Sequence, residues 1–300
     1  MGSVIEVRHL AKLYGSYVAV EDISLSVEQG EIFGILGPNG AGKTTTVECL
    51  QGLRKADKGE LRVLGLDPTR QAGELRRRIG SQLQESALPD RIKVWEALDL
   101  FSSLIPGGPP WETVLEQWGL GEKRTASFGS LSGGQQQRLF VALAVVNAPQ
   151  LVFLDEMTTG LDPMSRRVAW DLIRQIRDAG STVVLVTHFM DEAEDLCDRI
   201  AIIDDKRVVA LDTPDGLIER YAGSAEVTFS ADSHDVAYLN DIDEVDRIMR
   251  RGRRIVVSGR GALLAKVGAA LVANGLAPTD LQVKRASLED VFLQITGKER

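Results

Sequence analysis

The chain has 300 residues, enough for two domains, and its formal net charge of −8 argues against the basic face that nucleic-acid binding usually requires. Its longest uninterrupted apolar run, residues 139–146, is far shorter than the ~20 residues of a membrane span, and no signal segment opens the chain. Cys49 and Cys197 have neither metal-ligand nor disulfide-framework spacing, so we expect a soluble cytosolic protein.

The N-terminal part of the sequence predicts antiparallel strands followed by a loop that binds phosphate. Apolar and polar residues alternate from residue 4 to about residue 30, a pattern typical of strands. The apolar run 32–36 predicts a buried strand, and residues 43 to about 53 are compatible with a helix. Between them, residues 37–44 match the pattern Gly, four residues, Gly-Lys-Thr. Because loop N–H groups and a helix N-terminus favour anions, this segment predicts a nucleoside triphosphate site.

Two side chains of this loop have expected partners on the nucleotide. Lys43 is expected to reach the β- and γ-phosphates, and the Thr44 hydroxyl is expected to bind Mg²⁺. The predicted nucleotide-binding residues of the loop are Gly37, Pro38, Asn39, Gly40, Ala41, Gly42, Lys43, Thr44 and Thr45.

Three later apolar runs predict the other strands of a mostly parallel sheet. They are residues 151–154, 182–186 and 200–203, and the last leads through a turn into a short return strand. Helical stretches such as 165–178 separate them, as in parallel sheets covered on both faces. The first run ends in Asp155-Glu156 and the second in Thr187-His188. Ligands of such sheets collect at the carboxyl ends of strands, so these polar side chains are candidates for the site.

Two changes of pattern predict the domain organisation. From about residue 85 to residue 146 the pattern is helical, interrupted by a Pro- and Gly-rich stretch at 106–110. From about residue 223, short strand-like segments alternate with helical ones, and Ser287 with Asp290 forms a capping box before the last helix. We predict a nucleotide-binding domain over residues 4–222, with the helical insertion at about 85–146, and an α+β accessory domain over residues 223–300.

A second motif narrows the class of phosphate-loop protein. Leu131-Ser132-Gly133-Gly134-Gln135 would by itself be a helix cap after a flexible loop. Placed after a phosphate loop and before an Asp-Glu strand end, it resembles the signature motif of ABC ATPases. The other motifs of that family are present in order over residues 4 to about 220: Tyr14 as the adenine-stacking aromatic, Gln84 as the Q-loop, 151–156 as Walker B, 160–163 as the D-loop and His188 as the switch histidine.

The resemblance implies an α/β fold with a phosphate-loop ABC ATPase core. That core has a mixed, mostly parallel sheet, an antiparallel β subdomain and an inserted helical subdomain. The resemblance also implies catalytic roles: Glu156 would orient and deprotonate the attacking water, and His188 would contact the γ-phosphate. Asp155 would hold Mg²⁺, largely through water.

Two assignments have alternatives in the sequence, and one position departs from the family. Gln82 is an alternative to Gln84 as a contact of Mg²⁺ and the water, and Tyr17 is an alternative to Tyr14 for stacking on adenine. Met157 stands where ABC proteins usually have Pro; since both carboxylates before it are intact, we expect an altered rate rather than lost function.

The signature motif also implies a partner chain. In ABC proteins it completes the nucleotide site of the opposite subunit, so Ser132, Gly133, Gly134 and Gln135 would contact ATP held by the Lys43 loop of a second chain. One loop and one signature motif per chain therefore predict a head-to-tail dimer, either with a second copy or with a homologous ATPase.

The segments 187–194 and 286–292 resemble the ATPases of multidrug and antibiotic exporters of the type-2 permease class, as in daunorubicin resistance. This implies ATP-driven efflux of drugs, antibiotics, lipids or similar hydrophobic compounds through a separate integral-membrane permease, at the inner face of the cell membrane. The alternative is a soluble ABC-type ATPase acting on DNA or ribosomes. Such proteins typically carry long coiled coils or two ATPase cassettes, neither of which this sequence contains, and its acidic balance gives no reason to expect nucleic acid.

Overall fold

The fold comes from a computed structural model, which describes residues 2–82, 87–105, 108–222, 225–231, 236–284 and 286–297. The chain forms two compact units, Met1–Pro214 and Asp215–Arg300. Within the described residues, every helix is too short or too polar to cross a lipid bilayer. The domain limits expected from the sequence, 4–222 and 223–300, stay predictions.

The first unit is built on one nine-stranded sheet with the strand order β4-β1-β2-β9-β8-β3-β7-β6-β5. The segment 3–28 forms the predicted antiparallel pair, and the pairs on both sides of β3 and β7 are parallel, so the mixed, mostly parallel sheet is confirmed. The strands are β1 Ser3–Tyr14, β2 Tyr17–Glu28, β3 Ile32–Leu36, β4 Lys58–Val63, β5 Ile79–Gln82, β6 Leu151–Asp155, β7 Thr182–Val186, β8 Arg199–Asp204 and β9 Arg207–Asp212.

The centre of this sheet is buried on both faces. Every residue of β3, β6 and β7 is buried, as expected for central parallel strands with continuous apolar sequence. Phe33 and Phe153 are among the largest fully buried side chains. Because these strands are packed on both sides, their carboxyl ends have little freedom to move, and they hold the residues that follow them in fixed positions.

Helices cover the sheet and form the predicted helical insertion. In the insertion, α3 packs against α4 and α5, and Phe128 meets Phe140 edge-on at 5.4 Å between ring centroids. Two 3₁₀ turns, Gly121–Lys123 and Phe128–Ser130, connect the helices. The helices of this unit are α1 Lys43–Leu50, α2 Ala72–Leu75, α3 Val94–Leu104, α4 Trp111–Gln117, α5 Gly133–Val145, α6 Pro163–Asp178 and α7 Met190–Leu196. The short helix α8, Pro214–Leu217, begins at the last residue of the first unit and belongs otherwise to the second.

The second unit is an antiparallel sheet with helices, which agrees with the predicted α+β fold. Its strand order is β11-β12-β10-β13, with β10 Ala225–Ser230, β11 Val245–Arg251, β12 Arg254–Gly259 and β13 Gln282–Lys284. Its remaining elements are a π-helical turn Ile218–Ala222, a 3₁₀ turn Ala237–Asp241, α9 Leu263–Ala273 and α10 Leu288–Thr296. Phe229 and Val257 lie in its core with α9, and the predicted capping box is present, with the Asp290 carboxylate accepting from the Ser287 amide at 2.9 Å.

Candidate nucleotide site

Three loops with polar residues meet at one edge of the nine-stranded sheet. The phosphate loop follows β3, Asp155 and Glu156 lie at the end of β6, and His188 lies just after β7. Since β7 pairs in parallel with both β3 and β6, the three strands end at the same edge. The Glu156 amide also donates to the Val186 carbonyl at 2.9 Å, which ties the end of β6 to the end of β7. The predicted convergence of these residues is therefore present.

The phosphate loop passes so close to neighbouring backbone that glycine is required at two positions. A Cβ atom on Gly37 would lie 2.1 Å from the carbonyl oxygen of Ile203. Gly42, the N-cap of α1, has φ 103°, and a Cβ there would lie 2.6 Å from the Ala19 carbonyl oxygen. The first turn of α1 contains no acidic residue, so the positive end of its dipole is left available for an anion.

The Lys43 ammonium group is buried and held by the loop itself. Nζ donates to the carbonyl oxygen of Gly37 at 2.8 Å and to that of Pro38 at 3.2 Å, and the residue is 6% exposed. Burial lowers the pKa of Lys43, while the nearby carboxylates Glu156 and Asp155 oppose that shift. Its two acceptors are neutral carbonyls, so a phosphate oxygen would be a stronger partner for the cation.

The Asp155 carboxyl is the clearest candidate for contact with a metal ion. It is 4% exposed, and its Oδ1 atom has no hydrogen-bond partner among the described residues. Burial, reinforced by the charge of Glu156 and opposed by Lys43, raises the pKa of Asp155 to about 6. A divalent cation next to this oxygen would satisfy it and favour the ionised form.

Glu156 and His188 form a pair at the end of β6 and β7. The His188 Nδ1 atom lies 3.4 Å from Glu156 Oε1, and both side chains remain partly accessible. Glu156 has φ 49°, a left-handed conformation that is costly for a residue with a Cβ atom. Such backbone strain is concentrated at functional sites, and here it sets the direction of the carboxylate that the sequence predicts as the general base.

A cavity of about 290 Å³ lies over the phosphate loop. The loop residues Asn39, Gly40, Gly42, Lys43, Thr44 and Thr45 line it together with Glu156, Ala19, Tyr14 and Tyr17. Tyr14 pairs with Tyr17 at the tip of the β1–β2 hairpin, so both candidates for adenine stacking lie at the same cavity. Cations approach both rings: Lys12 Nζ lies 5.4 Å from the Tyr14 centroid, and Lys206 Nζ lies 5.0 Å from that of Tyr17.

We expect Tyr14→Ala to weaken ATP binding about 5- to 150-fold, because base–aromatic stacking contributes about 1–3 kcal/mol. The measurement is a titration of the nucleotide-free protein with ATP and, separately, with inorganic tripolyphosphate, which has no base to stack. Affinity for tripolyphosphate should be unchanged. A larger loss of ATP affinity in the matched variant Tyr17→Ala would assign the stacking role to Tyr17 instead.

The signature motif begins α5 and lines a different cavity. The Ser132 amide donates to the Gln135 side chain at 3.1 Å, and Ser132 and Gly133 are exposed. Ser132, Gly134 and Gln135 line a cavity of about 160 Å³ next to α6. No described residue lines both this cavity and the one over the phosphate loop. The signature motif and the phosphate loop therefore line separate cavities of the chain.

Of the two candidates for the Q-loop glutamine, the structure describes only one. Gln84 lies outside the described residues. The alternative, Gln82, is the last residue of β5, and it is 6% exposed with its Oε1 atom unpartnered among the described residues.

Comparison with known proteins agrees with this geometry. The family model described as "ABC transporter" matches residues 20–159. The Daunorubicin resistance ATP-binding protein DrrA2 of Streptomyces coeruleorubidus is 35% identical, with 99% of this chain and 96% of the relative aligned. The Nod factor export ATP-binding protein I of Cupriavidus metallidurans is 36% identical over 100% of this chain and 99% of the relative.

This chain belongs to the ABC transporter family. Among solved structures, an ATP-binding subunit of an ABC transporter is similar with a TM-score of 0.65 and 25% identity, covering 72% of this chain and 92% of the other. The cbiO1 protein of Clostridium perfringens has a TM-score of 0.66 and 26% identity, covering 73% of this chain and 92% of the other. The chain is an ABC ATPase and binds ATP, as the sequence predicted.

Several residues of this ABC ATPase site were not predicted from the sequence. Ala19 lines the cavity, and its carbonyl restricts Gly42, but no local pattern distinguishes it from other strand residues. Lys12 of β1 and Lys206 of the turn between β8 and β9 lie close to the two tyrosine rings although they are far apart in sequence. Glu192 is buried on α7. Its position four residues after His188, in the segment 187–194, is the sequence signal from which it could have been predicted.

Proposed function

We propose that this chain is the ATP-binding and hydrolysing subunit of an exporter that moves drugs, antibiotics, lipids or similar hydrophobic compounds through a separate membrane permease. The relatives named for daunorubicin resistance and Nod factor export support this reading, because both align over almost their whole length. The observation that carries the catalytic part is the meeting of Lys43, Glu156 and His188 at one sheet edge.

In the proposed reaction, Lys43 exchanges the carbonyls of Gly37 and Pro38 for phosphate oxygens, and loop N–H groups hold the same phosphates. Glu156 accepts a proton from the attacking water. The His188 imidazole, whose Nδ1 atom lies 3.4 Å from Glu156 Oε1, orients that water towards the γ-phosphate. Gly37 to Thr45 and Tyr14 are the proposed nucleotide contacts.

The residues present fit a magnesium ion. Asp155 supplies a buried, unpartnered carboxylate oxygen, and Thr44 supplies a hydroxyl at the start of α1. In nucleotide sites Mg²⁺ usually takes only one or two protein ligands and otherwise binds phosphate and water, so two such side chains are enough. We propose Thr44, Asp155 and Gln84 as its contacts; when bound, Mg²⁺ neutralises charge on the phosphates.

The proposed active form is a head-to-tail dimer. The exposed Ser132 and Gly133, together with Gly134 and Gln135, would contact ATP held by the loop of the second chain, which is another copy or a homologous ATPase. The separation of the two cavities supports this proposal, since neither cavity is lined by both the phosphate loop and the signature motif.

The proposed location is the cytoplasmic face of the cell membrane, where the permease would hold the chain. The segment from about Gln84 to Pro110 is the proposed docking site for the permease. Two large apolar side chains of α3 are exposed there, Leu100 at 50% and Leu104 at 66%, so this face can bury apolar area against a partner. We also propose residues 4–222 as the nucleotide-binding domain and 223–300 as the accessory domain.

Cross-linking tests this proposal. We expect single cysteines at Leu100 or Leu104 to cross-link to the co-expressed permease, because an exposed apolar helix face would be covered in the complex. The native Cys49 and Cys197 are buried and should give little background. Leu264→Cys on α9, also exposed, is the matched control. Cross-links exclusively from position 264, or a rate of ATP hydrolysis that the co-expressed membrane protein does not change, would contradict the exporter proposal.

A further inference from the structure

A buried carboxyl group that the proposed reaction does not use lies on α7, four residues after His188. Glu192 is 1% exposed. Its Oε1 atom accepts a hydrogen bond from the Trp170 indole Nε1 of α6 at 3.0 Å. A carboxyl buried to this degree is costly unless its polar atoms are satisfied or used, so its surroundings are informative.

Two threonine hydroxyls lie beside this carboxyl group. Burial raises the pKa of Glu192, and the nearby hydroxyls of Thr187 and Thr158 and the Trp170 indole partly oppose that shift. Thr158 is 1% exposed, and its Oγ1 atom has no partner at hydrogen-bonding geometry among the described residues; the same is true of Glu192 Oε2. Two unsatisfied buried oxygens thus lie close together, and they are complementary, because the Thr158 hydroxyl can donate a hydrogen bond and the Glu192 carboxyl oxygen can accept one.

Both threonines belong to the loops that carry the proposed catalytic pair. Thr158 lies two residues after Glu156, in a turn closed by the hydrogen bond from the Thr159 amide to the Glu156 carbonyl at 3.1 Å. Thr187 directly precedes His188, and its Oγ1 accepts from the Phe189 amide at 3.0 Å, which fixes the backbone on both sides of the histidine. A single threonine side chain therefore lies between the Glu192 carboxyl group and each of the two segments, the Glu156 turn and the His188 loop.

We propose that Glu192 is a positioning residue for ATP hydrolysis: through Thr158 and Thr187 its carboxyl group holds the Glu156 turn and the His188 loop at a fixed separation. The inference rests on the proposed function, because it assigns Glu192 to the geometry of that reaction. Glu192 lines neither of the two cavities, so we expect its effect to be on the orientation of the pair rather than on nucleotide contacts. A small misplacement of reacting groups is enough to slow an enzyme strongly.

Two substitutions separate the polar role from simple packing. Glu192→Leu keeps most of the volume and removes both oxygens, and we expect kcat to fall about 10- to 100-fold. Glu192→Gln keeps an acceptor for Trp170 and adds a donor for Thr158, so kcat should stay within about 3-fold of wild type. In both variants each chain should still bind one ATP with wild-type affinity, since the phosphate loop is untouched. Glu194→Leu, on the exposed side of α7, is the matched control and should behave as wild type.

A double-mutant cycle tests the connection to the Glu156 turn. Thr158→Val removes the hydroxyl at nearly constant volume, and its effect on kcat should not add to that of Glu192→Leu, because each variant removes one of the two groups through which Glu192 is proposed to hold the Glu156 turn. Three results would each overturn the proposal: wild-type kcat in Glu192→Leu, equal losses in Glu192→Leu and Glu192→Gln, or fully additive effects in the cycle. A loss of ATP-binding stoichiometry in parallel with kcat would also overturn it, since that is the signature of a purely structural role.

The same assays distinguish failure of this inference from failure of the proposed function. Absence of ATP hydrolysis by the wild-type chain would contradict the proposed function itself. If the wild type hydrolyses ATP and Glu156→Gln does not, but Glu192→Leu matches the wild type, the proposed function stands and Glu192 has no positioning role.

Discussion

Glu156→Gln is expected to lower the rate of ATP hydrolysis by about 10²- to 10⁴-fold, the usual contribution of a general base. The amide keeps the shape of the side chain and can still hold a water molecule, but it cannot accept the proton of that water. ATP affinity should persist, because the cation and the loop amides that hold the phosphates are unchanged. The measurements are phosphate release and an equilibrium titration with ATP.

The same variant should reveal the proposed dimer. ATP that is not hydrolysed would remain between the Lys43 loop of one chain and Ser132 of the other, so size-exclusion chromatography should show a dimer with ATP and monomers with ADP. Adding Ser132→Arg places a bulky cation at the exposed start of α5 and should abolish the ATP-dependent dimer. A dimer that persists in this double variant would contradict the shared site.

A matched control for the catalytic part is Glu112→Gln, which removes the same charge at an exposed position of α4. It should hydrolyse ATP at the wild-type rate. Wild-type hydrolysis in Glu156→Gln would remove Glu156 from the mechanism, whatever the dimer does.

Lys43→Ala is expected to weaken ATP binding by at least about 100-fold, because the loss of two charge-assisted hydrogen bonds of about 1.5–3 kcal/mol each exceeds the ~2.7 kcal/mol for that factor. The cation lies in the cavity wall, where it is 6% exposed, and no neighbouring residue of the loop carries a positive charge. A fluorescent nucleotide titration measures the effect directly.

Lys58→Ala removes an equivalent charge from the exposed strand β4 and should leave ATP affinity unchanged. If Lys43→Ala bound ATP as tightly as this control, the phosphate loop would be misassigned. A loss in both variants would point to general electrostatic attraction instead of a specific contact.

The elements that are decided locally were predicted well from the sequence. The strand 182–186 was predicted with the bounds that β7 has, because five consecutive apolar or β-branched residues at the sheet centre are buried on both faces. The phosphate loop was also predictable, since Gly37 and Gly42 are needed wherever the loop passes this close to other backbone. The order of the strands in the sheet was less predictable. The preference for right-handed connections between parallel strands limits the possible orders, but it gives a single order only when the fold family is known.

The features that depend on tertiary contacts were not predictable. Strand β4 is mostly exposed and polar, and β5 has four residues, so neither shows the alternation that signals a strand. The left-handed backbone of Glu156 is set by its neighbours rather than by a local glycine pattern. The contact of Glu192 with Trp170 joins residues 22 positions apart on two helices, and no sequence motif gives that distance.

The two hydrogen bonds that Lys43 makes to its own loop have a consequence for selectivity between anions. Nucleotide binding would then be an exchange, in which an incoming phosphate oxygen replaces the Gly37 and Pro38 carbonyls that already solvate the positive charge of the Lys43 ammonium group. The measured affinity is therefore a difference between two occupied states, not the whole strength of the ammonium–phosphate contact. An anion with a single weak charge gains little binding free energy from the exchange. A triphosphate has several charged oxygens, and each one that contacts Lys43 or a loop N–H group adds to the binding free energy. In the nucleotide-free loop, the Gly37 and Pro38 carbonyls therefore compete with small anions for Lys43 and weaken the inhibition of ATP binding by such anions.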